Sequence, residues 1–329
     1  MRKISIFVTN TLKMKRIIGL VSLVLLFNAC DDGEITVETI DFSSAAIVKC
    51  NLNDVYYKLN GTEILALEMR ANRNAFINEL TAVGVPRPIA LNATDRVVYR
   101  SYDGTVSGGT ICATIPASSP NVVEEWTATS GTMEVTTTAV YTTNPTTNAT
   151  TLSKYNHFIV FKNISFNKPS GVQVYETFIF GNFQTDATVL PFAFDEDAVQ
   201  KCPSSNLIFN FSGSEAFTLD IASSLYPNSV GTRTGVISAT NKVTYKLFTS
   251  GLNTSYFCTT PTPTTPTLNE EWNAQDGVLN VSGVIEVVTT TETAASYRHT
   301  IRLKKVTFQK GTSTFYLGDD YLYGSFVTN

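Results

Sequence analysis

The chain is written largely in short runs in which every second residue is apolar. Val55, Tyr57 and Leu59 alternate with polar neighbours, Asn60-Gly61 follows, and Leu65, Leu67 and Met69 resume the alternation. A period of two sends successive side chains to opposite faces, as a half-buried strand requires. Asn-Gly between two such runs predicts a hairpin turning on those two residues, both at positive φ. Leu207, Phe209 and Phe211 pass through Ser212-Gly213 to Phe217, Leu219 and Ile221 in the same way. Period-two runs also predict strands at Arg96–Tyr102 and Lys242–Phe248. Trp126 leads through Ser130-Gly131 to Met133 and Val135, and Trp272 through Asp276-Gly277 to Leu279 and Val281. Over residues 155–166 Tyr155, His157, Ile159 and Phe161 share one face before the apolar positions jump to Ile164 and Phe166, which predicts a bulge near Lys162-Asn163. Tyr297, His299, Ile301, Leu303, then Val306 and Phe308 make the same jump. Runs at 178–183 and 321–326 close each set, and residues 70–83 carry the pattern of one short helix.

These paired runs are copies of each other. Lys49-Cys50, Glu63 and Leu67 match Lys201-Cys202, Glu215 and Leu219 at a shift of 152 residues. Tyr99, Arg100, Cys112, Pro120 and Glu124-Glu125-Trp126 match Tyr245, Lys246, Cys258, Pro266 and Glu270-Glu271-Trp272 at 146. Tyr155-x-His157 matches Tyr297-x-His299 at 142, and Gly181 matches Gly324 at 143. A period near 150 is too long for a solenoid unit, so each copy is expected to be a domain with its own core. Residues 36–186 form the first copy and 187–329 the second, with the boundary near 184–186. About eight or nine strands per copy predict an all-β chain of two tandem antiparallel β-sandwiches, with a barrel as the alternative architecture. Thr/Pro-rich runs at 142–151 and 259–267 read as exposed loops.

Four cysteines fall two to a copy, and the repeat pairs Cys50 with Cys112 and Cys202 with Cys258, so that each domain carries its own staple. A closed loop of that size is worth about 4 kcal/mol in the chain-entropy treatment. The fifth, Cys30, belongs to the leader. Lys13, Lys15 and Arg16 precede an apolar run of 11 residues, Ile17 to Phe27. That run is too short to span a bilayer and has the form of a signal-peptide core, with Met14 the better start. It ends at Phe27-Asn28-Ala29-Cys30, followed by Asp31, Asp32 and Glu34. This leader resembles that of Bacteroidetes-type surface-exported lipoproteins. The resemblance implies removal of residues 1–29, lipidation of Cys30, an acidic linker over 30–35 and anchorage in the outer membrane, facing the cell surface. A plain secretory peptide is the other reading. The duplicated domains resemble no family by their motifs.

Loss of residues 1–29 removes five of the 24 basic residues and no acid, leaving 19 against 28 and a net charge of −9. That composition, without a basic stripe, argues against nucleic acid as a partner. No G-x-S-x-G, H-E-x-x-H, P-loop or G-x-G-x-x-G occurs, and no cofactor or metal site is expected. Asp195-Glu196-Asp197 and Asp319-Asp320 lack the ligand spacing of an EF-hand. The only two histidines, His157 and His299, occupy equivalent inward positions and read as core residues satisfied by hydrogen bonds, with a carboxylate of the Glu-Glu-Trp stretch as a partner. Adjacent carboxylates on one strand point to opposite faces, which excludes Glu124-Glu125 as the acid and base of a glycosidase. What both copies retain (Trp126, Trp272, His157, His299, Glu63, Glu215) reads as scaffold. Arg70, Arg73, Arg87, Arg96 and Arg100, around a segment longer in the first copy, are the candidate site for an anionic glycan or protein. The function expected is that of a non-enzymatic envelope lipoprotein acting as a binding or structural module, with glycan or an envelope protein as partner. A glycan-binding role resembles the layout of the tandem-sandwich lipoproteins of starch-utilisation systems and would need exposed aromatic platforms. A hydrolase is a further alternative.

Overall fold

A computed structural model describes residues 39–115 and 117–329. The signal peptide, Cys30 and the acidic run therefore lie outside the described residues. Residues Phe42–Asn329 form one compact unit. It is nearly all β, with antiparallel sheets and two disulfides.

The first copy contributes β1 (Val48–Lys49), β2 (Val55–Asn60), β3 (Glu63–Glu68), β4 (Arg87–Ala90), β5 (Arg96–Tyr102), β6 (Val122–Ala128), β7 (Thr132–Thr143), β8 (Thr150–Lys168) and β9 (Gly171–Asp186). The second contributes β10 (Gln200–Lys201), β11 (Leu207–Ser212), β12 (Glu215–Asp220), β13 (Gly231–Val236), β14 (Lys242–Phe248), β15 (Leu268–Ala274), β16 (Val284–Thr293), β17 (Ser296–Lys304), β18 (Thr307–Lys310), β19 (Ser313–Tyr316) and β20 (Tyr321–Thr328). In the second copy two separate sheets face each other, β10-β11-β12-β14-β15-β18-β19 and β13-β16-β17-β20. The first copy has the same order, but β8 and β9 run unbroken through both layers and join them into one nine-stranded sheet.

The strand that changes layers does so at the expected bulge. From Tyr155 to Phe161 burial on β8 follows odd positions and then shifts to Ile164 and Phe166. The residue between, Asn163, sits at φ +51°, and its twin Lys305 at φ +52° separates β17 from β18. An asparagine tolerates this left-handed conformation better than most residues. The partner strand is released by Gly181 and Gly324, at φ +124° and +127°. A Cβ on Gly324 would run into the Glu196 carbonyl. The two cysteine pairs are as the repeat predicts, Cys50–Cys112 and Cys202–Cys258, each with its Cα atoms 5.4 Å apart. Each staple ties the chain before its first hairpin to a short helix, Gly108–Cys112 or Ser255–Cys258.

Three local expectations are corrected. Asn60 pairs with Glu63 as the last rung of its hairpin, so the turn is Gly61-Thr62, one residue later, with positive φ at Gly61 alone. Residues 70–83 form no helix: Asn72 and Asn74, at φ +61° and +50°, break any helical run. A single 3-10 turn stands instead in the second copy, at Ser223–Leu225. Leu279 and Val281 are not the twins of Met133 and Val135. They are 57% and 58% exposed on an inserted turn, and Ile285 and Val287 take the buried positions.

The halves touch through polar and apolar groups alike. Leu152 and Tyr155 of the first copy join the hydrophobic core of the second. Tyr155 bonds Ser313 at 2.8 Å, the Tyr316 amide donates to Thr150 at 2.8 Å, and Asn148 donates to Asp319 at 2.7 Å.

Candidate functional site

The residues shared by both copies form matched internal clamps. His157 is fully buried on β8, with Nδ1 bonded to Thr137 across the ladder at 3.0 Å and Nε2 to Thr185 on β9 at 2.9 Å. His299 repeats this with Thr289 at 2.9 Å and Thr328 at 2.7 Å. The partners are threonines, not the expected carboxylate, because Thr137 and Thr289 stand directly opposite the imidazoles in the ladder. Burial, helped by Arg87, pushes His157 down to about 4, and burial with Arg233 lowers His299. Both rings stay neutral near pH 7, which suits a buried group without a carboxylate.

Trp126 and Trp272 are 2% and 3% exposed. Each indole donates to the glutamate two residues earlier, Glu124 at 2.7 Å and Glu270 at 2.9 Å. Lys168 and Lys310 cover the two rings. The adjacent carboxylates face the other way: Glu125 meets Arg100 at 2.6 Å and Glu271 meets Lys246 at 3.3 Å. Alternation along the strand thus separates each pair, as expected.

The five arginines do not make a free basic face. Arg96 and Arg100 bridge Glu68 at 2.8 and 3.5 Å. Arg70 and Arg73 lie 3.6 and 3.2 Å from Asp95, which is fully buried and accepts the Arg70 amide. In the second copy neutral Asn241 accepts the Ala222 amide at that position, and Ala222 and Leu225 stand where the first copy has Arg70 and Arg73. The extra cations therefore answer the extra buried charge. Arg87 donates to the Glu79 carbonyl, and Arg233 donates to Ser229 in the same way, so Arg87 belongs to the scaffold too.

A cleft of about 350 Å³ opens where the halves meet. Leu152, Leu190, Phe192, Phe315 and Leu317 give it an apolar lining, and Thr150, Tyr316, Asp320 and Tyr321 supply its polar groups. At the matching positions of the first copy stand Ile40, Gln173, Val174 and Phe178 in place of Phe192, Phe315, Tyr316 and Tyr321. Leu152 and Leu190 also line a smaller space of about 50 Å³ beside Glu270, Trp272 and Lys310. There Thr188 and Lys310 hold the Glu270 carboxylate at 2.6 and 2.7 Å.

The lining is built under strain. Phe192 adopts φ +47°, which costs a bulky residue about 1–3 kcal/mol. Buried Glu215, 3% exposed, holds it there. One carboxylate oxygen accepts the Phe192 amide at 2.9 Å, the other the Ala193 amide at 3.2 Å, and Tyr245 donates its hydroxyl as well. The Phe192 ring then stacks on Tyr245 at 4.3 Å. Hydrogen bonds to a charged acceptor contribute about 1.5–3 kcal/mol each, enough to offset the strain. Burial pushes the Tyr316 and Tyr321 hydroxyls up to about 12, with Asp319 adding to the first and Glu196 to the second.

A second cavity, about 550 Å³, lies in the first half between Lys49, Asp54, Tyr56 and Arg73. Its cations are engaged, Lys49 with Asp54 at 3.3 Å and Arg73 with Asp95. Among the described residues no group of three or more His, Cys, Asp or Glu is placed to hold a metal ion, and no helix is long and apolar enough to cross a membrane. The chain matches no family model, no curated protein and no solved structure.

The walls of the cleft come from three separated stretches, so no single local pattern marks it in the sequence. The available signal was the divergence between copies at Phe315-Tyr316 and Tyr321, together with Leu190-Pro191-Phe192 at the junction.

Proposed function

We propose that the protein is a non-enzymatic binding module of the cell envelope, tethered by a lipid on Cys30, that captures a small ligand in the cleft between its halves. The carrying observation is the cleft itself: concave, mostly apolar, bearing a few polar groups, and located at a junction between halves, which is the usual make-up of a ligand site. A binding role without chemistry is supported by the engagement of the conserved-in-copy carboxylates and imidazoles in internal clamps. Titrating the soluble chain with a small-molecule library by ligand-observed NMR tests the reading. Binding that disappears in Leu190→Trp, while the variant keeps its far-UV spectrum, is the expected result; hits indifferent to that change would reject it. Separately, Cys30→Ser should release the protein from the membrane fraction, and unchanged fractionation would reject the tether.

Glycan capture is the second reading, and Tyr316 and Tyr321 at the cleft are what favour it. Burial of both tryptophans counts against it, since neither ring is free to stack on a sugar. A glycan array on the same protein separates the two.

A further inference from the structure

The charges around the cleft point to the kind of head group it accepts. Asp320 lines the cleft and is 45% exposed, with Arg302 3.1 Å away. Asp319 stands behind Tyr316, accepting its hydroxyl at 2.7 Å. Glu196 and the buried Glu215 add negative charge that acts on Tyr321. Against these four carboxylates stand Arg302, already bridged to Asp320, and Lys305, which acts on Asp319. At the inner end Glu270 and Lys310 cancel each other. Among the described residues the Tyr321 hydroxyl has no hydrogen-bond partner, so it can both give and accept one. The opposite wall is aliphatic and aromatic. A carboxylate or phosphate brought to this rim meets like charge, while an ammonium meets opposite charge and rings that attract cations.

Resting on the cleft as the ligand site, we infer that it selects a small molecule with an apolar body and a protonated amine head, and that it discriminates against acids of the same shape. The body lies along Leu152, Leu190 and Phe315, and the ammonium is recognised by Asp320 and Tyr321. A space of about 350 Å³ admits one such molecule.

Two probes of matched shape test this, 4-phenylbutylamine and 4-phenylbutyrate, titrated calorimetrically into the soluble chain at pH 7. The amine should bind about tenfold more tightly, the scale of one charge contact at a wet rim. Asp320→Asn, at an exposed position that leaves the core intact, should erase most of that ratio. Hydrogen exchange with the amine bound should slow at residues 315–321. Equal binding of the two probes, or preference for the acid, overturns the head-group inference and leaves the cleft reading standing. Failure of both probes to bind, or protection confined to other segments, overturns both.

Discussion

Inside, the first half and the second solve the same packing problem with the same residues. A threonine pair clamps each histidine, a glutamate holds each indole, and a cysteine pair staples each first hairpin. At the junction they part. Phe315, Tyr316 and Tyr321 wall a cleft in the second half where the first has Gln173, Val174 and Phe178. Duplication thus separates what the two halves share from where they differ within one chain: sameness marks what the fold needs, and the difference at the junction is what the proposed ligand site rests on.

The largest effect expected concerns the staples. Their loops span 62 and 56 residues, so Cys50→Ser/Cys112→Ser and Cys202→Ser/Cys258→Ser should each cost about 4 kcal/mol by denaturant unfolding. Strongly unequal costs would break the equivalence of the halves. Next comes a difference between them. Glu215→Ala leaves two amides and a buried hydroxyl without their acceptor and should cost about 3 kcal/mol. Glu63→Ala, whose carboxylate receives Tyr99 at 2.8 Å on a more open side, should cost about 1–2 kcal/mol. Equal losses would remove the special role given to Glu215 in holding Phe192.

The histidine clamps predict a pH dependence. Both imidazoles titrate lower when folded than when unfolded, so the unfolded chain binds more protons in acid. Stability is full above pH 6.5 and is lost as pH falls towards 4, up to about 3 kcal/mol for His157. His157→Gln should flatten the melting-temperature profile over that window, with His299 supplying the remaining slope; an unchanged profile would reject the account. The smallest effect is reserved for the arginines. Arg96→Gln breaks a surface bridge to Glu68 and should cost about 0.5 kcal/mol without altering ligand affinity. A large loss of binding would restore the anionic-ligand reading.

Much of the fold was legible in the sequence because its signals are local. The jump from Phe161 to Ile164 located a bulge, which is where the strand changes layers, and the repeat paired the cysteines. What misled was also local. The inserted turn after Trp272 copies a strand pattern in Leu279 and Val281, and only the ladder from Val284 shows that they are outside. Arg87 looked peculiar to the first copy because its twin Arg233 lies at a shift of 146 that the intervening loop conceals. Arg70 and Arg73 looked like part of a site because Asp95, the carboxylate they flank, is buried by packing that no spacing reveals. The cleft was legible only as a divergence between the copies, since charge and aromaticity converge there from distant segments.

Ligand stoichiometry tests the central claim most directly. Native mass spectrometry of the soluble chain with 4-phenylbutylamine should show one molecule bound per chain, lost in Leu190→Trp. Two per chain, one to each copy, would place recognition on the duplicated scaffold and contradict the account.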